Sequence, residues 1–458
     1  MAKKSSTSKT TKKVVKSAKK MAKKNPAGFA IVVVLVIFLA AAAVGGYFLY
    51  KYLNPTVVFA LKGKNKVSVA IGSTYKDKGF EATYNGKDVS SEVKMTFYLD
   101  DVKQDSIKTD AIADYVVKYE LNHERYSGTL ERKVHVTEVE EIDINFLELG
   151  NKYTGDSTFI KAGDTDILID AGSRQNSATT IANFVDTYCD DGVLEYVIAT
   201  HAHQDHIAGF VGSNSDEGIF KHYKIDTLID FSLTNATSTI YNNYVSLRDE
   251  KIASGDIAHH YTANECIEES NGASKVFDVG AGITMEILDQ KFYRETTSDE
   301  NDYSVCALFT QGSNNYLFTG DLEKDGEASL VALNSELPEC ELFKGGHHGS
   351  YTANTDTLLS VIKPKTVCIC CCAGSDEYTK TPENMFPAQA AVDRIAKYTD
   401  QVFVTTVVND DEKGYKSLNG NITFHCEKGK EYTVKGSNNS IILKDTDWFK
   451  KNRTWPTY

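Results

Sequence analysis

Thr200-His-Ala-His-Gln-Asp-His-Ile-Ala-Gly209 carries three histidines and one aspartate within six residues, as His201-x-His203-x-Asp205-His206. A neutral imidazole offers one lone pair, and a carboxylate can accept or bridge. Crowding four such side chains into one short loop is costly unless a cation gathers them. The preceding Val193-Leu-Glu-Tyr-Val-Ile-Ala-Thr200 reads as a buried strand, and Ile207-Ala-Gly-Phe-Val211 opens a helix. The loop therefore sits at the end of a strand, where open α/β sheets place their sites.

Working outward, Ile144-Asn-Phe-Leu-Glu-Leu-Gly150 and Thr165-Asp-Ile-Leu-Ile-Asp-Ala-Gly172 read as strands that bracket Gly155-Asp-Ser-Thr-Phe-Ile160. Downstream, Asn315-Tyr-Leu-Phe-Thr-Gly-Asp321 is a strand ending in an aspartate, followed by Leu342-Phe-Lys-Gly-Gly-His-His-Gly-Ser350. His-x-His-x-Asp-His after a strand resembles the signature of the metallo-β-lactamase superfamily. The order Thr-Gly-Asp, helix, Lys-x-Gly-His-His-Gly-Ser is similar to the metallo-β-lactamase-like domain of ComEC-type competence proteins and their stand-alone relatives. Asn301-Asp-Tyr-Ser-Val-Cys-Ala-Leu308 also resembles that subgroup, and the resemblance spans roughly residues 142–445.

The resemblance implies an α/β fold, the αββα metallo-β-lactamase sandwich, with helices outside two sheets. A helix over Ala388–Ala396 and closing strands at Gln401–Val408, Gly420–Phe424 and Ser440–Leu443 agree with it. It implies two divalent cations, zinc first and manganese as the alternative, although N/O ligands suit zinc, manganese or iron and the sequence does not choose among them. His201 and His203 would hold one cation, Asp205 and His206 the other, with Asp321 bridging and His347 completing the set. His348 is a ligand, a supporting donor, or the group that protonates the leaving oxygen. The expected catalytic residues are Asp205 and His348, acting with a metal-activated hydroxide. Asp170 orients the histidine loop, and Gly345, Gly346 and Gly349 let the backbone approach closely.

The chain also departs from the family. Many relatives carry a further histidine before the Gly-Asp turn, whereas here only His222, His259 and His260 are available, outside any motif. The subgroup's last ligand comes from a Tyr-Gly-His-Pro-like turn, and this chain has Glu377-Tyr-Thr-Lys-Thr-Pro382 there. Lys380, a water or a Cys372 thiolate would take that place.

The 458 residues suffice for two or three domains. Residues 1–27 hold ten lysines and no acid, and read as a cytoplasmic Lys-rich tail. Residues 28–50 are uncharged and mostly apolar. They are long enough for a transmembrane helix, with a cleaved signal peptide as the rival. Lysines ahead of a span stay inside, so a single-pass cell-membrane protein with an extracellular catalytic domain is expected. The remainder has 40 basic and 63 acidic residues, a net charge of −23. That excludes broad electrostatic capture of nucleic acid but leaves a local cation site open. Nine cysteines are an odd number, and Cys368-Ile-Cys-Cys-Cys372 reads as a buried strand of small apolar thiols rather than a disulfide scaffold.

Residues 55–138 alternate with period two, as in Val57–Leu61, Val67–Val69, Val93–Tyr98, Tyr115–Leu121 and Leu130–Val136. This predicts a small antiparallel sandwich. Val67-Ser-Val-Ala-Ile-Gly-Ser-Thr-Tyr-Lys-Asp-Lys-Gly-Phe-Glu-Ala82 resembles the opening of bacterial Ig-like surface domains. A spacer is the plain role, and contact with the cell wall the sharper one. The domains expected are thus 55–138 (Ig-like), 142–445 (hydrolase) and 446–458 (C-terminal tail, with Trp448 and Trp455 packing or engaging sugar). The function expected is metal-dependent hydrolysis of a phosphodiester-containing substrate, DNA or a wall polymer. The alternative is a non-catalytic surface binding protein with a degenerate metal site.

Overall fold

The computed structural model describes residues 54–458 except 63–64, 72–74, 138–140, 281 and 410–413. The Lys-rich tail and the apolar run at 28–50 lie outside the described residues. Among those described, no helix is long and apolar enough to cross a membrane.

The N-terminal region is all β. One sheet joins Val57–Leu61, Phe80–Tyr84 and Lys87–Asp88, and another orders Lys66–Ala70, Tyr126–Thr137, Ala113–His123, Lys94–Leu99 and Val102–Gln104. The expectation of a purely antiparallel sandwich needs correction, because Lys66–Ala70 pairs parallel to Tyr126–Thr137. Ala82, Tyr84, Val89 and Leu121 form a small core, with Phe59, Phe80 and Tyr126 packed on it. Buried Arg132 pairs with Asp77 at 2.8 Å and donates to the carbonyls of Lys62 and Gly79. Without a disulfide, this buried ion pair ties the region's strands together.

The large domain has two eight-stranded sheets. The first runs Ile257–Thr262, Lys224–Asp230, Val193–Ile198, Thr165–Ile169, Thr158–Ala162, Glu141–Phe146, Ile422–Glu427, Thr433–Gly436. The second runs Val276–Gly280, Ile283–Leu288, Cys306–Gln311, Asn314–Phe318, Leu342–Lys344, Thr366–Ala373, Val402–Asn409, Gly414–Ser417. Alternation explains how they stack. Phe146 meets Phe318, and Tyr316 meets Phe424, across the gap between the sheets. The intervening Leu317 points the other way, into a second core with Leu330, Leu358, Ile362 and Ile395 from the outer helices. Phe159 and Phe184 make the matching helix contact on the first sheet. The result is a mixed α/β layered domain of the expected class.

All eight residues of Thr366–Ala373 are buried, as their apolar run predicts for a central strand. All nine cysteines of the chain are free and buried. Ser440–Leu443, expected as a closing strand, is irregular and enters a short 3-10 turn at Leu443–Asp445. The Asn419 side chain accounts for this, since its amide accepts from Ile441 N at 2.9 Å and donates to Ile441 O at 3.1 Å. One side chain thus replaces the neighbouring strand that the sequence pattern invites.

The last residues are a brace rather than a loose tail. Thr446 caps the helix Asp447–Asn452. Trp448 sits where a Cβ on Gly374 would approach to 2.3 Å, and Trp455 packs on Phe449. Arg453 donates to the carbonyls of Pro382, Met385 and Pro387 at 2.8, 2.7 and 3.1 Å.

Candidate metal centre

The strand Val193–Ile198 delivers Thr200 and His201 to the sheet edge. The helix Gln204–Val211 begins at once, so Asp205 and His206 lie on its first turn. A carboxylate is favoured there by the helix dipole. Two glycines let this helix sit against the opening hairpin. A Cβ on Gly209 would come within 2.4 Å of the Ala171 carbonyl, and one on Gly172 within 1.5 Å of the Asp205 carbonyl.

Hydrogen bonds fix which ring nitrogens face inward. Thr200 Oγ1 donates to Asp170 Oδ2 at 2.8 Å and is left to accept from His201 Nδ1 at 3.1 Å. That leaves the lone pair of His201 on Nε2, which faces His203 Nδ1 at 3.0 Å. Asp170 takes Nδ1–H of His206 at 2.7 Å, so His206 Nε2 points at Asp321 Oδ2, 3.1 Å away. The Cys370 carbonyl takes Nδ1–H of His348 at 2.9 Å. His348 Nε2 then lies 3.0 Å from Asp321 Oδ2 and 3.5 Å from Asp205 Oδ2. It makes no hydrogen bond with either. Two imidazole Nε2 atoms and two carboxylates therefore converge on one buried volume. This is the donor set and orientation that a divalent cation collects, so the residues present fit a metal.

Burial works against charge on His206 and His348, but Asp321, with Asp170 beside the one and Asp156 beside the other, holds both well above the usual histidine range, so a cation would take the place of their Nε2 protons. Burial, with the charges of His206 and His203, holds His201 well below the usual histidine range, so it stays neutral and able to bind. Burial works against an ionised Asp321, but His206, His348 and Lys344 outweigh it and keep the carboxyl well below its ordinary range. Burial likewise opposes an ionised Asp205, and His348 and His206 outweigh it.

The structure gathers His201, His203, Asp205, His206, Asp321 and His348 at this centre. His347 is placed differently from its expected role. It lines the cleft, with Nδ1 3.0 Å from Glu323 Oε1 and 3.2 Å from Thr352 Oγ1, while Nε2 is 3.9 Å from Asp321 Oδ2. Asp170 bonds Thr200 N at 2.8 Å as well as His206, and so orients the loop. Gly345 and Gly349 matter for neighbours other than a metal, since a Cβ would meet Ile369 at 2.8 Å and Pro387 at 2.9 Å. His222 and His260 pair elsewhere, with Asp186 and Asp230, and His259 lies on the edge strand Ile257–Thr262.

Four participants escaped the sequence reading. Asp156 lies against His348 and buried Lys344, and could itself join a metal set with His206, Asp321 and His348. Lys344 also reaches Asp321 Oδ1 at 3.3 Å. Glu300 accepts from Ala202 N at 3.2 Å and Asn235 N at 2.6 Å, tying down the link between His201 and His203. Tyr378 donates to Asp205 Oδ2 at 2.6 Å. It occupies the place for which Lys380 and Cys372 were considered. Lys380 is exposed and lines no part of the cleft, and burial pushes the Cys372 thiol up to about 12. The signals for these residues were faint: Asp156 stands in the Gly-Asp-Ser turn, and Lys344 is a lone charge inside an apolar strand.

The centre forms the floor of an open cleft of about 860 Å³. Residues 150–373 match the family model of the metallo-beta-lactamase superfamily. The chain carries a metallo-beta-lactamase domain. Residues 59–136 match the bacterial surface protein Ig-like domain, which therefore precedes it. The chain is 26% identical over 182 residues to ComE operon protein 3 of Bacillus subtilis (strain 168), covering 38% of this chain and 20% of that protein. It is 28% identical over 126 residues to Recombination protein 2 of Haemophilus influenzae, covering 28% of this chain and 14% of that protein. The chain thus spans a fifth or less of these relatives' length. Among solved structures, a putative zn-dependent hydrolase of the metallo-beta-lactamase superfamily from Thermotoga maritima matches at 12% identity, TM-score 0.27, over 58% of this chain and 99% of that one. CmlA, a diiron beta-hydroxylase from Streptomyces venezuelae, matches at 11% identity, TM-score 0.31, over 62% and 66%.

Proposed function

We propose that the metallo-beta-lactamase domain is a metal-dependent hydrolase of phosphodiester bonds. The observation that carries this reading is the convergence of His206 Nε2, His348 Nε2, Asp205 Oδ2 and Asp321 Oδ2 beside the His201–His203 pair on the cleft floor. A bound divalent cation, zinc or manganese, supplies a Lewis acid and a water activated at neutral pH. His201, His203, Asp205, His206, Asp321 and His348 would hold the one or two cations, and Lys344 and Asp156 brace Asp321 and His348 from behind. Hydrolysis adds a water oxygen to phosphorus and releases an alcohol, so one proton must reach the departing oxygen. His347 is suited to hand it over, because Glu323 and Thr352 hold its Nδ1 while the ring lines the cleft. The expected roles of His347 and His348 are thereby exchanged.

The likeness to a ComE operon protein supports DNA as one substrate, with a wall polymer as the other. The charge pattern of residues 1–50 supports a membrane anchor with this domain outside the cell, and the Ig-like domain supports a spacer or wall contact. The test is hydrolysis of bis(p-nitrophenyl) phosphate by the full-length protein with zinc, manganese or chelator. Metal-dependent turnover lost in Asp205→Ala is expected. Absence of turnover with either metal would sink the reading in favour of a binding protein.

A further inference from the structure

Tyr153, Tyr351, Tyr378 and Tyr458 are the exposed Phe, Tyr or Trp side chains among the described residues; Tyr351 and Tyr378 line the cleft, and Tyr153 meets its wall through Arg174. Tyr351 and Tyr378 are 51% and 52% exposed. Tyr153 stacks on the cleft-lining Arg174, whose guanidinium carbon is 4.0 Å from the ring centroid. Arg174 pairs in turn with Glu377, the neighbour of Tyr378.

Tyr378 is held at both ends. Its hydroxyl is tied to Asp205, and its ring lies 5.6 Å from Phe386 at an interplanar angle of 34°. Phe386 is itself wedged against His347 and His348 at 5.7 and 5.8 Å. One face of the Tyr378 ring is thus backed, and the exposed remainder borders the cleft. A flat apolar surface is fixed one hydrogen bond away from a proposed metal ligand. A group flanking the reacting ester has this surface beside it.

The cleft's charge points the same way. Asp205, Asp321, Glu323 and Glu377 line it against Arg174 alone. Cations at the centre would balance part of this, and Arg174 is the one lysine or arginine among the described residues lining the cleft, with Lys152 beyond it over the Tyr153 ring, which is too little for a basic track along a long polyanion. Recognition must rest on rings. Base–aromatic stacking is tolerant of sequence and strong enough to do so, whereas a polyol-phosphate polymer offers no planar face.

We infer that Tyr378, with Tyr351 and the Tyr153–Arg174 pair, is a stacking platform that selects phosphodiesters bearing a planar heterocycle beside the scissile bond. The chemistry is that of a nucleotide diester, from a small dinucleotide or the end of a single strand; duplex DNA keeps its base faces stacked away. The inference deepens the phosphodiesterase reading and rests on it.

The test compares kcat/KM of the full-length protein for thymidylyl-thymidine and for glycerophosphoglycerol, a diester without rings. Wild type should prefer the dinucleotide by tenfold or more. Tyr378→Leu should reduce that ratio about tenfold, while Tyr378→Phe, which keeps the ring, should preserve it even if both rates fall. No preference in wild type, or an unchanged ratio in Tyr378→Leu, overturns the platform. Failure to hydrolyse bis(p-nitrophenyl) phosphate as well as both diesters would instead strike the phosphodiesterase reading. The platform is then read by calorimetric binding of thymidylyl-thymidine, and undetectable binding, or equal affinity in Tyr378→Leu, overturns it. Comparing the dinucleotide with a 20-residue single-stranded thymidylate, about the smallest clear strand-length contrast, identifies the source.

Discussion

Tyr378 donates a 2.6 Å hydrogen bond to Oδ2 of Asp205, the same oxygen that lies 3.5 Å from His348 Nε2. Burial, with Asp205 and Glu377 nearby, pushes the phenol well above its usual range, so it remains a donor. Tyr378→Phe removes this bond, a loss of about 1 kcal/mol. Turnover of a simple diester should fall roughly five- to tenfold, with the melting temperature shifted by no more than about 2 °C. An unchanged rate would show that the hydroxyl plays no part in setting Asp205.

The roles proposed for His347 and His348 give a second prediction. His348→Ala should lower bound metal, measured by elemental analysis after dialysis. His347→Ala should keep the metal but lose activity selectively toward esters with poor leaving groups, sparing p-nitrophenyl esters that depart without a proton donor. Equal metal loss in both variants would return His347 to the ligand set.

Lys344 is almost fully buried between Asp156 and Asp321. Burial disfavours its charge, yet the two carboxylates hold its pKa above the usual lysine range. Lys344→Met leaves both acids without that partner and should cost about 3–5 kcal/mol, read from urea unfolding of metal-free protein. Removing metal from wild type should also lower the melting temperature, and restoring zinc or manganese should raise it with concentration. A melting temperature indifferent to metal would contradict the proposed centre.

Glu327 gives the pH dependence. Burial pushes its carboxyl up to about 7, although Thr355 and Asn354 donate to it. Its ordinary value is 4.5, so the folded chain binds this proton more tightly than the unfolded one. The resulting stability is complete below about pH 4.5 and is lost as pH rises through about 7. Glu327→Gln cannot titrate. Its stability relative to wild type should therefore climb between pH 5 and 8, as measured by urea unfolding. A flat difference would mean that Glu327 is ionised throughout.

The sequence was most legible where structure is local. Thr200–Gly209 announced its cluster of imidazoles and carboxylate because these side chains lie within six residues, and the strand Thr366–Ala373 announced its burial because every residue is apolar or small. Asp156 and Lys344 were hidden because a charge is usually a solvated one, and only the folded sheets bring them together across 188 positions. His347 and His348 are neighbours in sequence, and only the left-handed backbone at both, with φ of 45° and 53°, sends one ring to the cleft wall and the other to the floor. Ser440–Leu443 looked like a strand because periodicity cannot see a competing Asn419 side chain.

Arg453 clasps three carbonyls of the segment that presents Phe386 to His347, His348 and Tyr378. Every proposed ligand lies upstream of that arginine. Arg453 therefore reaches back to hold the wall of a site built wholly from earlier residues. The cleft wall that Phe386 forms is thus fastened by a residue more than sixty positions further along the chain.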